Sequence, residues 1–252
     1  MSVFDDCPAD WRELQNMVGQ LFAEMNCDVR VSEPVENVRG TKEIDVYARD
    51  VSIVPPALYL CECKHWKRAV PQEVVHSFRT VLLDTGAHRG FIISSGGFQK
   101  GSYEAAKNTN IDLVSFAELQ EMFLDRWRVC MGERFMQYAD RLFPYWDPAG
   151  GRMPKFQWRE AHRERHRRLM EAYEPLIDLG PWSRWEGYRR DFPIVLPTVD
   201  ESGAIGGELC INSYRQFYDF IDANKDLALY HFRVLHGEIA PDKIQGEYDP
   251  RA

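Results

Sequence analysis

The sequence predicts an α/β layer fold for its N-terminal half and a second domain of α+β type, of unrecognised fold, for the rest. An amphipathic helix comes first, three strand-like segments follow it, and helices then alternate with short buried strands. Parallel strands need a crossover, which is usually a helix, whereas antiparallel strands need only a turn. We therefore expect a mixed sheet flanked by helices, with its later strands parallel.

Apolar spacing of three and four residues marks the helices, and two-residue alternation marks the strands. A helix opens near Asp10, a good N-cap, and carries its apolar stripe to Met25. The remaining predicted elements are strands 27–32, 42–48 and 57–64, a helix 71–83, a strand 90–93, a helix 101–108, a strand 111–115 and a helix from 116 to about 127.

A change of composition after residue 130 predicts a domain boundary, because proline and glycine then recur within a stretch rich in tyrosine and tryptophan. The predicted domains are residues 1–130 and 131–252. In the second we expect a polar helix over 158–173, a Pro- and Trp-rich segment to Asp200, a Gly-rich loop and a helix over 212–223.

Composition describes a soluble, acidic chain. Its 252 residues carry a formal net charge of −8, so the molecule as a whole repels polyanions. Nucleic-acid binding would need local basic patches or a metal ion that cancels carboxylate charge. There is no apolar run long enough to cross a membrane and no basic apolar leader at the N-terminus. These features predict a cytoplasmic protein with no membrane partner.

Two strand-like segments carry the residues with the clearest chemical meaning. Glu62 and Lys64 are two apart on a strand, so they share one face, while Cys61 and Cys63 point to the other. If the preceding strand is the antiparallel neighbour, Asp45 comes across from Glu62. Two carboxylates and an ammonium would then converge.

Phosphodiester hydrolysis uses such a trio. Hard carboxylate oxygens hold Mg²⁺, which binds a phosphate oxygen and lowers the pKa of a bound water. Lys64 would orient the attacking water, help to deprotonate it and contact the phosphate. The competing interpretation is a surface ion pair on a structural sheet, because short motifs of this kind often arise by chance.

Residues of about 8–125 resemble the PD-(D/E)xK nuclease superfamily, and within it the Mrr-type restriction endonuclease domains. The resemblance rests on the leading helix, on Ile44-Asp45, on Glu62-Cys63-Lys64 and on the later strands and helices. It implies a restriction-endonuclease-like fold acting on DNA. Asp45, Glu62 and the backbone carbonyl of Cys63 would bind Mg²⁺, with Mn²⁺ as a substitute, and Lys64 would be catalytic.

The sequence departs from the family pattern at three positions. Ile44 occupies the place of the motif's proline, which matters little if only backbone shape is needed. Glu62 stands where Mrr-type domains often carry glutamine, and a carboxylate is the stronger metal ligand. Gln15 stands where related leading helices often place an acid, so this helix is not expected to supply a metal ligand.

Residues outside the trio are secondary candidates. Some related nucleases use Gln-xxx-Tyr on the helix after the motif, so Gln72 is assigned to the catalytic site, with His76 four residues later. Lys100, after the loop 94–97, would contact a phosphate. Arg159, Arg163 and Arg167 belong to the most basic stretch of the chain, which predicts either a nucleic-acid patch or an ordinary exposed helix with internal ion pairs.

The leading hypothesis is a Mg²⁺-dependent endonuclease that cuts DNA, in restriction or anti-phage defence by family analogy. Its C-terminal half would supply target recognition, regulation or oligomerisation, and the resemblance suggests a homodimer. One alternative is an effector nuclease gated by a ligand or partner protein that the C-terminal half senses. The other is a catalytically silent nuclease fold that serves as a DNA-binding or interaction module.

Overall fold

A five-stranded mixed sheet organises the N-terminal part of the chain. The computed structural model describes residues 2–38, 40–147, 151–179 and 189–240. Within it the chain divides into two compact units, residues 1–130 and 131–252. The first unit contains the elements α1 (Trp11–Glu24), β1 (Cys27–Asn37), β2 (Gly40–Asp50), β3 (Ala57–Lys64), α2 (Gln72–Thr85), β4 (Arg89–Ser94), α3 (Lys100–Ala106), β5 (Ile111–Val114) and the start of α4 (Phe116–Trp146).

The strands lie in the order β1-β2-β3-β4-β5. The pairs β1–β2 and β2–β3 are antiparallel, and the pairs β3–β4 and β4–β5 are parallel. Short connections precede the antiparallel strands, whereas α2 and α3 cross over between the parallel ones. The predicted mixed sheet flanked by helices, with parallel later strands, is confirmed.

Helix α1 begins as predicted and packs closely on the sheet. The Asp10 side chain accepts a hydrogen bond from Glu13 N at 2.9 Å and so caps the first turn. A methyl group at Gly19 would lie 2.6 Å from Val31 Cγ2, so only glycine lets the helix approach β1 this closely. Gln15 is one helical turn before Gly19, so it is directed toward the sheet.

Helix α2 packs on the sheet through an apolar stripe of its side chains. Val75, Phe78 and Leu82 are buried and form one core cluster with Leu60 of β3 and Ile92 of β4. Burial of a side chain of this size contributes roughly 1.5–3 kcal/mol to stability. This core holds β3 in the middle of the sheet, which fixes the backbone that carries Glu62 and Lys64.

Two helices, α4 and α7 (Tyr214–Leu235), extend beyond the ends predicted from the sequence, which were near residues 127 and 223. Helix α4 continues past the predicted end near Trp127, because Met131, Phe135, Ala139 and Leu142 keep an apolar stripe at spacings of three and four. The division between the two units therefore falls inside this helix. The C-terminal unit also contains α5 (Glu160–Ala172), α6 (Glu174–Ile177), β6 (Ile194–Val199), β7 (Ile205–Ile211) and α7.

The hairpin of β6 and β7 was not predicted from the sequence. Pro197 interrupts the first strand, where the structure has a register irregularity at Pro197/Thr198, and Gly206 and Gly207 weaken the second. Proline and glycine are tolerated at such bulges but erase the strand pattern. Residues 180–188, in the segment predicted to be rich in proline and tryptophan, lie outside the described residues. No helix in the described part of the chain is long and apolar enough to span a membrane.

Candidate active site

Asp45 lies where strands β2 and β3 separate. The last Cα partners of the two strands are Val46 and Cys61, and one step further the register sets Asp45 opposite Glu62. The Asp45 carboxylate replaces the backbone pairing at this point, because Cys63 N–H donates a hydrogen bond to Asp45 Oδ2 at 2.7 Å. The antiparallel pairing that the sequence argument required is therefore present.

Glu62 and Lys64 occupy the same, partly open face of β3. Their side chains form an ion pair and remain 20% and 18% exposed respectively, so both are accessible to a substrate. Cys61 and Cys63 are buried on the opposite face, as the alternation predicted. Burial raises the pKa of both thiols, which keeps them protonated and unsuited to bind a metal through sulfur. Core packing therefore explains these cysteines.

The charge around Asp45 favours a bound cation. Burial and the nearby negative charge of Glu62 raise the pKa of Asp45, and the hydrogen bonds and positive charge it receives offset this only in part. A cation shared by the two carboxylates would remove their mutual repulsion. Both side chains end in hard oxygen atoms, the kind of ligand that Mg²⁺ takes in proteins.

Two carboxylates are enough for such an ion. The described residues include no group of three or more His, Cys, Asp or Glu side chains placed to hold a metal. Mg²⁺ keeps several waters and is commonly bound through one or two carboxylates, so it does not need a larger protein cage. The donor set of Asp45 and Glu62 therefore fits Mg²⁺ or Mn²⁺ better than a zinc site built from cysteine and histidine.

Part of the chain that contains this site matches the model of a known protein family. Residues 8–123, just under half of the chain, match the Mrr_cat family model, which is described as restriction endonuclease. This match includes Asp45, Glu62 and Lys64. Residues 8–123, termed the restriction-endonuclease-like domain, are thus similar to this family, and their mixed sheet flanked by helices is consistent with its fold. The resemblance inferred from the sequence is therefore confirmed over this range.

Two further comparisons add no functional information. No curated protein matches the chain. Among solved structures, the crystal structure of a protein of unknown function, AF1548, has a TM-score of 0.39 and 14% sequence identity. That alignment covers 69% of this chain and 91% of the other.

Gln15 is the residue of the restriction-endonuclease-like domain whose role the sequence left unassigned. It is buried, and its side-chain oxygen accepts a hydrogen bond from Ser32 Oγ at 2.9 Å. Its side chain also lies near enough to the Asp45 carboxylate to lower the pKa of Asp45. Gln15 and Cys63 N–H thus both favour the ionised form of this carboxylate. The equivalence of Gln15 with the family's acidic position was the available signal.

Gln72 and Lys100, two other predicted site residues, lie on helices that follow β3 and β4. Gln72 is the first residue of α2 and is exposed, with its side-chain oxygen directed toward Gly101 of α3. Lys100 is exposed at the start of α3. Their described contacts do not include Asp45, Glu62 or Lys64, so their assignment to the site stays a prediction.

The basic stretch of the C-terminal unit forms helix α5, with Arg159 at its N-cap. Arg163 pairs with Glu160 at 3.1 Å. Arg167 pairs with Glu164 at 2.6 Å and also with Glu171. These acids are three or four residues from their partners along the helix, so much of the positive charge is neutralised locally. The pairing favours the interpretation of α5 as an ordinary exposed helix.

A second basic segment follows β3 directly and was not singled out from the sequence. This segment, the β3–α2 loop, contains His65, Trp66, Lys67 and Arg68. The Trp66 ring centroid lies 5.5 Å from Lys64 Nζ and 5.4 Å from Arg68 Cζ. Interleaving of an aromatic residue with cations beside the predicted catalytic motif was the signal that could have revealed it.

Proposed function

We propose that the chain is a metal-dependent endonuclease that hydrolyses DNA phosphodiester bonds. The observation that carries this proposal is the hydrogen bond from Cys63 N–H to the Asp45 carboxylate, because it joins Asp45 to the strand segment that bears Glu62 and Lys64. Its position within the restriction-endonuclease-like domain supports phosphodiester bonds as the target.

Asp45, Glu62 and the backbone carbonyl of Cys63 would hold Mg²⁺, for which Mn²⁺ can substitute. When bound, the ion neutralises charge on the phosphate and lowers the pKa of a coordinated water. The protein supplies the remaining parts. Cys63 N–H orients the Asp45 carboxylate, and the nearby Gln15 side chain favours its charged form.

Lys64 acts on the substrate rather than on the ion. Its ammonium group lies on the open face of β3, where a phosphate oxygen can accept a hydrogen bond from it. In that position it stabilises the negative charge that develops on the phosphate during attack by water. The ion pair with Glu62 keeps the ammonium beside the carboxylates until the substrate arrives.

By family analogy, the biological role we propose is restriction or anti-phage defence, in the cytoplasm. The C-terminal unit would serve target recognition, regulation or assembly, with a homodimer as the expected form for cutting both strands. Because the net charge of −8 repels DNA as a whole, local cations or a bound metal ion must favour its approach to this site.

A plasmid-nicking assay tests the proposal. Supercoiled DNA is incubated with the full chain and Mg²⁺ or Mn²⁺, and in parallel with EDTA. We expect nicking only with metal, and a loss of at least ~100-fold in Lys64→Ala, in line with removal of a group that acts directly in the reaction. Lys107→Ala, which changes an exposed lysine at the end of α3, is the matched control.

Each other outcome has a distinct meaning. Cutting that persists in Lys64→Ala would contradict the proposal and point to a contaminating nuclease. Activity that appears only after addition of a cell extract or a small molecule would favour the gated effector. Tight DNA binding without cleavage under any metal would favour the silent binding module. Parallel reactions with RNA determine which nucleic acid is cut.

A further inference from the structure

The β3–α2 loop presents cations without acidic partners. Lys67 and Arg68 are exposed, and no carboxylate in the described part of the chain forms an ion pair with either of them. An open groove of about 510 Å³ is lined by four residues of the loop, none of them acidic: His65, Trp66, Lys67 and Arg68. In a chain of net charge −8, this loop is a local concentration of positive charge.

The indole of Trp66 connects this loop to the catalytic lysine. Lys64 Nζ and Arg68 Cζ both lie over the ring, at 5.5 and 5.4 Å from its centroid. A guanidinium held over an aromatic ring keeps the N–H donors at its edge free to bind a phosphate. A strand that places one phosphate against Lys64 would therefore bring a neighbouring phosphate to Arg68.

The loop backbone is held by the segment after β4. Ser95 Oγ donates a hydrogen bond to Trp66 O at 3.1 Å, and Val70 N donates to Gly97 O at 2.9 Å. A methyl group at Gly96 would lie 2.5 Å from Trp66 O and 2.6 Å from Arg68 O. The loop is therefore packed tightly against its support, and little conformational freedom is lost when it binds a ligand.

We propose that Trp66, Lys67 and Arg68 form a binding site for the backbone of the strand being cut, next to the phosphate held at Lys64. This inference rests on the proposed function, since it names the residues that bring the substrate to that site. Lys67 and Arg68 contact phosphates, and Trp66 keeps Arg68 in place while offering an apolar edge to the sugar or base. Contacts of this kind bind nucleic acid without reading its sequence.

The test measures binding and cleavage separately. Fluorescence anisotropy with a labelled DNA duplex, in EDTA and over a series of salt concentrations, reports affinity in the absence of cleavage. For the double variant Lys67→Ala/Arg68→Ala we expect at least ~10-fold weaker binding at low salt. The plot of log K against log salt has a negative slope, and the double variant should make it shallower by about 2. Each lost phosphate contact reduces the magnitude of this slope by about 0.9.

Two further variants keep the result specific. Arg68→Lys retains the charge but loses the planar group, so its affinity should lie between those of the wild type and Arg68→Ala. Lys107→Ala removes an exposed lysine at the end of α3 that belongs to no proposed site, and it should bind as the wild type does. Thermal unfolding by circular dichroism confirms that each variant is folded; these exposed side chains contribute little to stability.

The outcomes separate this inference from the proposed function. If the double variant binds with wild-type affinity and salt slope, the loop site is refuted, even if metal-dependent cleavage by the wild type is observed. If the wild type never cleaves but the double variant loses affinity and slope, the loop binds nucleic acid and the proposed function fails. Loss of cleavage at low DNA concentration that is restored at saturating DNA supports both.

Discussion

Two regions of the chain are rich in positive charge, and the structure shows that they differ in kind. In helix α5 the cations Arg163 and Arg167 pair with glutamates of the same helix. In the β3–α2 loop, Lys67 and Arg68 have no such partners among the described residues, and they follow a lysine that pairs with Glu62. Whether a basic run has unneutralised charge therefore depends on where its acids lie.

The strongest test of this contrast replaces one ion-paired glutamate in β3, beside the loop, and one in α5. Glu62→Gln removes a proposed metal ligand, so we expect cleavage to fall by at least ~100-fold in the plasmid assay. Glu164→Gln breaks a surface pair with Arg167 and should leave the rate unchanged within about twofold. Equal effects of the two changes would show that the β3 pair is only structural.

A buried ion pair extends the comparison to stability. Arg126 Nη1 lies 2.7 Å from Asp50 Oδ2, and the Asp50 side chain is fully buried. Arg126→Ala would leave this carboxylate without its cation. We expect the free energy of unfolding to fall by about 2 kcal/mol, which is less than for a fully buried pair because Arg126 itself is partly exposed. Arg167→Ala should change the free energy of unfolding by less than ~0.5 kcal/mol. Urea unfolding at neutral pH measures both, and equal values would contradict the prediction.

The same pair predicts an acid-dependent loss of stability. Burial alone would raise the pKa of Asp50, but the Arg126 guanidinium and the hydrogen bonds from Ser52 outweigh it and hold the pKa below the ordinary value. The pair therefore contributes stability above the ordinary pKa of about 3.9, and this contribution is lost as the pH falls below it. Repeating the urea series near pH 3 should narrow the gap between wild type and Arg126→Ala; an unchanged gap would contradict this assignment.

Much of the fold and part of the site follow from the sequence alone. The order of helices and strands predicted the mixed sheet, and the alternation at Cys61–Lys64 predicted which side chains are buried. Asp45 could be placed opposite Glu62 only under the assumption of antiparallel pairing, which is a long-range property.

The remainder depended on tertiary contacts that no local pattern encodes. The position of Gln15 beside Asp45 requires α1 to pack on the sheet, through the close approach at Gly19. The anchoring of the β3–α2 loop involves residues about 30 positions later in the chain. The hairpin of β6 and β7 was missed because Pro197 and two glycines interrupt the alternation of apolar and polar residues that marks a strand.

Gln15 provides an intermediate effect. Gln15→Ala removes the polar side chain that lowers the pKa of Asp45, and loss of such a supporting group typically lowers metal affinity or activity by at least ~10-fold. The expected signature is a cleavage rate that recovers in part at high Mg²⁺. Asn16→Ala, at an exposed neighbour on α1, is the control. A rate that is lowered equally at every Mg²⁺ concentration would exclude a role through the metal ligand.

The smallest expected effect concerns the support of the loop. Gly96→Ala changes no charge but forces the carbonyl groups of Trp66 and Arg68 to move, so DNA affinity should fall by several-fold. Gly206→Ala is a matched control, because a methyl group there has nothing within 4 Å. Anisotropy measures both variants. If Gly96→Ala folds and binds as the wild type does, the position of the loop is not important for binding.

The most direct test of the central claim, that Asp45 and Glu62 share one divalent cation, is a titration with Mn²⁺ followed by electron paramagnetic resonance. The account predicts that Asp45→Asn and Glu62→Gln each weaken Mn²⁺ binding by at least ~10-fold, since each removes a charged oxygen ligand. Glu43→Gln, at an exposed position of β2, should bind as the wild type does. Wild-type Mn²⁺ affinity in either Asp45→Asn or Glu62→Gln would contradict the claim.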